Sequence, residues 1–122
     1  MSIFSRQTQI FLKKVGDSSN LVTAIVPKSD SCANPGDILI FRYSLGIGKG
    51  SRAERIFMVI EPITREARTG NLLLIGFKVP PNGQYTPDSL DSLYNKKELN
   101  PDDYRTYIMS KIYGPIRRIR RL

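Results

Sequence analysis

Every apolar run in this sequence is short, and nearly every one stops at a proline or a glycine. Leu21-Val22-Thr23-Ala24-Ile25-Val26 is rich in β-branched residues and ends at Pro27. Arg55 to Ile60 ends at Glu61-Pro62, and Leu72 to Val79 ends at Pro80-Pro81-Asn82-Gly83. None approaches the roughly 18 apolar residues that a membrane span requires. Short β-branched runs between Gly/Pro turns read as strands. Asn34-Pro35-Gly36-Asp37 is a strong turn, because proline fixes φ and glycine accepts positive φ. After it, Ile38, Ile40, Arg42 and Ser44 alternate with Leu39, Phe41, Tyr43 and Leu45, the period of a strand. Leu72 to Val79 is apolar on both faces and suits a central strand.

The pattern changes once. Thr86-Pro87-Asp88 reads as an N-cap followed by proline at the first helical position. Leu90, Leu93 and Tyr94 then fall three and four apart, which predicts a short helix to about Glu98. Asn100-Pro101-Asp102-Asp103 suggests one more helical turn. The acids here, Asp88, Asp91, Asp102 and Asp103, have helix-start spacing rather than metal-loop spacing. Tyr104 to Tyr113 is expected to return to a strand, broken at Gly114-Pro115. Its period places Arg105, Tyr107, Met109, Lys111 and Tyr113 on one face. That face is either a contact surface or one where Tyr107 and Met109 pack inward.

These elements predict a mainly β fold: a small SH3-like or Sm-like antiparallel barrel, which would remove exposed sheet edges, with one short helix late in the chain. Residues 1–20 are expected to form an N-terminal arm or edge strand, residues 21–113 the barrel, and residues 114–122 a basic tail. At 122 residues, one domain is expected.

Composition narrows the chemistry. The chain has no histidine and a single cysteine, Cys32. One chain therefore lacks the residues for a structural zinc site, a Cys-His pair or a Ser-His-Asp triad. No intrachain disulfide can form, which leans towards a reducing compartment, and Cys32 reads as incidental. No catalytic residue, metal site or cofactor is expected. Ile10-Phe11-Leu12 is too short for the apolar core of a signal peptide. Gly46-Ile47-Gly48-Lys49-Gly50-Ser51 resembles a phosphate loop only superficially. Gly50 separates Lys49 from Ser51, and a strand rather than a helix follows. A hairpin loop is the better reading, from which Lys49 and Arg52 could touch a phosphate.

Charge is placed unevenly. The formal net charge is +8. Residues 105–122 hold six basic side chains (Arg105, Lys111, Arg117, Arg118, Arg120 and Arg121) and no acid. Residues 1–104 hold the other 13 against all 11 acids. The end of the chain therefore reads as a docking device for something acidic, or as a solvated tail. Ile116, Ile119 and Leu122 recur every third residue and would suit a partner's groove. Tyr107 and Tyr113, interleaved with cations, would suit nucleic acid.

One family pattern carries a resemblance. Phe41-Arg42-Tyr43, then Arg55, Pro62, a leucine-rich strand, Arg105-Thr106-Tyr107 and Lys111-Ile112 resembles the Sm-like barrel of WYL domains over residues 37–113. Asn71-Leu72-Leu73 or a neighbouring triplet stands where that family has Trp-Tyr-Leu. The resemblance implies a basic pocket that senses nucleic acid or a nucleotide-like ligand, with Tyr43, Arg105 and Lys111 at matching positions. The chain is also similar in style to small barrel proteins of large tailed phages. The first expectation is a non-enzymatic structural or assembly protein, a virion component if viral and otherwise cytoplasmic. It would be oligomeric and dock on partner subunits through the barrel and its basic end. The alternative is a nucleic-acid-binding module of WYL-like type.

Overall fold

A computed structural model describes residues 5–18, 20–44, 54–80 and 82–122. The predicted loop carrying Lys49 and Arg52 lies outside the described residues.

The N-terminal segment is a helix, α1 (Arg6–Gly16), not the arm or edge strand expected from the sequence. Ile10-Phe11 fits either period, and capping decides the outcome. The Ser5 hydroxyl accepts from the Thr8 N–H at 3.2 Å, satisfying an otherwise orphan donor of the first turn. The Ser5 N–H in turn donates to Glu54 Oε1 at 2.6 Å, which ties the helix start to the sheet. Thr8, Phe11 and Val15, at three- and four-residue spacing, form the buried stripe.

Strands β1 (Leu21–Val26), β2 (Ile38–Tyr43), β3 (Glu54–Val59) and β5 (Leu72–Lys78) lie where the short apolar runs placed them. A two-residue ladder, β4 (Thr64–Arg65), pairs with the start of β5. Helix α2 (Pro87–Asn95) has the predicted Thr86 cap, completed by reciprocal bonds with Ser89, and a 3-10 turn spans Pro101–Asp103.

The next segment departs from expectation. In place of one strand from Tyr104 to Tyr113 there is β6 (Tyr104–Ile108), a 3-10 turn at Met109–Lys111, and β7 (Ile112–Arg121). The turn interrupts the two-residue alternation. Tyr107, Met109 and Ile112 are buried, while Lys111 and Tyr113 face outward. Gly114-Pro115 does not end the strand. Two extra β7 residues are absorbed as a bulge between the pairs Ile40–Arg117 and Arg42–Tyr113, with Gly114 at φ 73°. A bulge is one of the few sheet positions that tolerates a proline without an N–H. The expected tail at 114–122 is thus an inner strand, hydrogen-bonded to β1 on one side and β2 on the other.

The fold is mainly β, antiparallel, with one short helix late in the chain, as expected. Strand order is β1-β7-β2-β3-β5-β4, with β6 also on β5, and this ladder is open. It curls strongly all the same. The Ile108 N–H of β6 donates to the Tyr43 hydroxyl of β2 at 3.1 Å, although β6 pairs with β5, two strands away. The concave face holds Leu39, Phe41, Tyr43, Phe57, Leu74 and Tyr107 among its core residues. Phe41, Tyr43 and Phe57 surround Tyr107 with centroids 4.7 to 5.4 Å away, all edge-on. The convex face, with Ile38, Ile40, Ile56, Met58 and Phe77, is covered by Phe11 and Val15 of α1 and Leu90 of α2. Burial on both faces explains why β2 reads as apolar at nearly every position.

Candidate functional site

The arginines of β7 are used inside the molecule. Arg120 donates to both carboxylate oxygens of Asp37, Nε to Oδ1 at 2.9 Å and Nη2 to Oδ2 at 2.6 Å. Asp37 is 5% exposed and also accepts from the Asn34 N–H at 2.8 Å, so this pair locks the Asn34–Asp37 turn to the sheet. Arg121 reaches two acids of α2, Asp88 at 2.6 Å and Asp91 at 3.1 Å. These carboxylates push both arginines above their ordinary pKa. Arg118 Nη1 donates to the Cys32 carbonyl at 3.2 Å. Arg117 stands in β7 between Ile25 and Ile40.

The other residues singled out by sequence divide in the same way. Ile116 and Ile119 are buried in the chain's own two cores, because the segment is an inner strand, and cannot serve a partner's groove. Leu122 alone of that trio is exposed, at 88%. Tyr107 is a core residue, so the inward-packing reading holds and its ring is closed to a base. Burial pushes its hydroxyl pKa up, against a downward pull from Arg55 and Arg105. Tyr43 also belongs to the concave core. Tyr113, Lys111 and Arg105 lie at the surface, on different elements.

Three of the cations outside the ion pairs of Arg120 and Arg121 share one sheet face. Arg55 of β3, Lys78 of β5 and Arg105 of β6 alternate onto the same concave sheet face as Phe57 and Tyr107. The register fixes their relation. Lys78 lies opposite Phe57, two residues from Arg55, and Arg105 lies opposite Gly76, two residues from Lys78. Each step is therefore one strand across and two residues along, or about 8 Å at standard spacings. The three form a diagonal row over the rim of the aromatic core. None is in an ion pair among the described residues. Arg105 Nη1 donates only to the carbonyls of Asp102 and Tyr104. Arg55 Nε is buried and has no hydrogen-bond partner. The Lys78 pKa is lowered, first by burial and then by the charges of Arg55 and Arg105, with only Asp103 opposing.

Gly76 permits this arrangement. A Cβ there would lie 2.1 Å from the Met58 carbonyl oxygen and 2.8 Å from the Phe57 ring. The close approach keeps the β3–β5 rim tight beneath the cations. Beside the row, a cavity of about 150 Å³ is lined by Thr8, Glu54, Arg55, Ile56, Lys78 and Val79 among others. Glu54 already occupies the N-terminus of α1, so the helix end adds nothing for an incoming anion.

No family model matches the chain, and no curated protein or solved structure matches it. Function is therefore read from the arrangement of these side chains.

That arrangement suits an anion. Three cations held near one another, one of them desolvated and short of a partner, are stabilised when phosphate oxygens arrive. No group of three or more metal-capable side chains occurs among the described residues. A larger hollow of about 420 Å³ is lined by Ile60, Tyr94, Asn95, Lys97, Leu99 and Tyr104. Its one cation, Lys97, has φ 57° and terminates α2, where its N–H donates to the Tyr94 carbonyl. Sequence reading named Arg105 and missed Lys78. It noted Arg55 only as part of the WYL-like pattern. The available signal was positional: each of the two sits at the end of an inward-facing strand row.

Proposed function

We propose that this chain is a non-catalytic binding module that holds the phosphate backbone of nucleic acid on the Arg55–Lys78–Arg105 row. The observation that carries the reading is the set of three un-neutralised cations on adjacent strands. Their diagonal spacing is comparable to that of successive phosphates along a strand. Nearby aromatics lie beneath the row and are packed edge-on, so contact is to the backbone and not to stacked bases. The resemblance to WYL barrels points to the same class of ligand, with Arg55 and Arg105 both in the pattern that carries it.

Binding to a fluorescently labelled single-stranded oligonucleotide, measured by anisotropy over a salt series, tests this. Three phosphate contacts give a slope of log K against log salt of about −2, and Lys78→Gln should flatten it by about 0.7. Salt-independent binding, or an unchanged slope in Lys78→Gln, removes the reading.

A second reading, a structural subunit of an assembly, loses its basic arm. The arm is an inner strand whose side chains bond within the chain. What favours it is a different feature, the outer edge of β1. No helix among the described residues is long and apolar enough to cross a membrane.

A further inference from the structure

Strand β1 lies at one end of the sheet, four strands from the β5 position that carries Lys78. Its sequence, Leu21 to Val26, contains no charge and no proline. Among the described residues it pairs with β7 alone. Natural edge strands are blunted by charges, prolines, bulges or a covering element, since a bare edge is a template for another strand. Here Val22 is 44% exposed and Ile25 is 67% exposed.

The direction of the free backbone groups follows from the ladder. The Leu122 N–H donates to the Asn20 carbonyl at 2.9 Å. In an antiparallel pair, alternate residues turn both backbone groups to the same neighbour. Asn20, Val22, Ala24 and Val26 therefore face β7, and Leu21, Thr23 and Ile25 turn their N–H and C=O groups outward.

Charge decides what fits there. The β7 residues in register with Leu21, Val22, Ala24 and Ile25 are Arg121, Arg120, Arg118 and Arg117. Arg120 and Arg121 are neutralised by Asp37, Asp88 and Asp91. Arg118 donates to a carbonyl, and so does Lys28, just beyond the strand, which bonds the Ile112 carbonyl. Those bonds satisfy geometry and leave the positive charge in place. Ala24, the β1 residue in register with Arg118, is a small side chain. A second copy would bring another arginine-bearing strand and another +8 chain to the same edge.

We propose that the outer edge of β1 accepts an extended acidic segment of a different protein, added as an antiparallel or parallel strand. Its β-branched residues cover Val22 and Ile25, and its Glu or Asp side chains meet Arg118 and Lys28. This is strand addition, in which main-chain bonds give affinity and side chains give selectivity. It is independent of the phosphate-binding reading, which concerns the other end of the sheet.

The test uses the full chain and a fluorescein-labelled eight-residue peptide alternating Val or Thr with Glu. Binding is read by anisotropy. The acidic peptide should bind, and the same peptide with Lys for Glu should not. Thr23→Pro removes one outward N–H without touching the β1–β7 ladder, and should weaken binding at least about tenfold. Thr23→Ala should leave it unchanged. A peptide N-methylated at every residue keeps its charges but has no N–H to donate to the ladder from either edge. It should fail to bind the unmodified protein, a readout that does not depend on a variant folding. Oligonucleotide affinity should be the same in Thr23→Pro as in the parent. Equal binding of the N-methylated or Lys peptide, or no binding of the acidic one, overturns the proposal. So does a dimer, seen by light scattering, that Thr23→Pro dissociates, since a second copy would then be the occupant.

Discussion

Two sets of cations in this molecule look alike in sequence terms and differ in what surrounds them. The β7 arginines are dense and C-terminal, and Arg118, Arg120 and Arg121 bond Cys32, Asp37, Asp88 and Asp91. Arg55, Lys78 and Arg105 are scattered over fifty residues and meet on one rim without a carboxylate partner. Charge density along the chain located the first set. Strand register locates the second, by bringing three cations outside any ion pair onto one rim. The first set holds the fold; in the second, burial and then the charges of Arg55 and Arg105 lower the Lys78 pKa.

The largest effect is expected at Asp37, the partner of Arg120. Asp37→Ala leaves Arg120 without its partner and frees the Asn34 N–H. Removing one member of a buried pair costs about 3–5 kcal/mol, and the half-exposed Arg120 can still reach water. A loss of about 2–3 kcal/mol is therefore expected in urea unfolding. Oligonucleotide affinity, measured well below the unfolding midpoint, should hardly change. If Asp37→Ala weakened binding and spared stability, the roles assigned to the two sets would be reversed.

Next in size is the triple variant Arg55→Gln, Lys78→Gln, Arg105→Gln. It should lower oligonucleotide affinity by about 100-fold at moderate salt, on the scale of three lost phosphate contacts. Its unfolding midpoint should not fall, because no native ion pair is removed. Glutamine substitution at Arg117, Arg118, Arg120 and Arg121 together should do the opposite, lowering stability more than affinity. Parallel anisotropy and thermal melts on both variants would separate the sets.

How much of this was readable beforehand depends on the range of the interactions. Strand β2 was legible as a short apolar run after the Asn34–Asp37 turn, because each of its faces has its own core. The α2 start was legible because Thr86-Pro87 carries a local cap. Helix α1 was obscure because the bond that ties its start to the sheet, Ser5 to Glu54, spans 49 residues. The 3-10 turn at Met109-Ser110-Lys111 contains no glycine or proline to announce it. The cation row was hidden for the same reason as α1. Its members come from three strands, and only the register places them together.

A smaller effect tests the curl on which that register depends. Tyr43→Phe removes the hydroxyl that accepts from the Ile108 N–H, and leaves the ring in the aromatic cluster. A loss of about 1 kcal/mol is expected, read by urea unfolding. A slight loss of oligonucleotide affinity should accompany it as β6, and with it Arg105, loosens. A change in stability with the affinity strictly constant would show that the row does not depend on that closure.

The smallest effect has the opposite sign. In the folded chain the Lys78 pKa is lowered by burial, Arg55 and Arg105. Its protonated form is thus less favoured folded than unfolded, and the unfolded chain holds the proton more tightly. Stability should then rise with pH between the lowered value and the ordinary lysine value of about 10.4. Below that window Lys78 opposes folding slightly. Lys78→Met should accordingly raise Tm at neutral pH, by at most about 2 °C, and should remove the alkaline rise. The same substitution should weaken oligonucleotide binding. In the parent protein, affinity should begin to fall at a lower pH than an ordinary lysine would give. A side chain whose removal steadies the fold and weakens the ligand is one held in place for binding. If Lys78→Met lowered Tm instead, the lysine would belong with the β7 arginines as part of the frame.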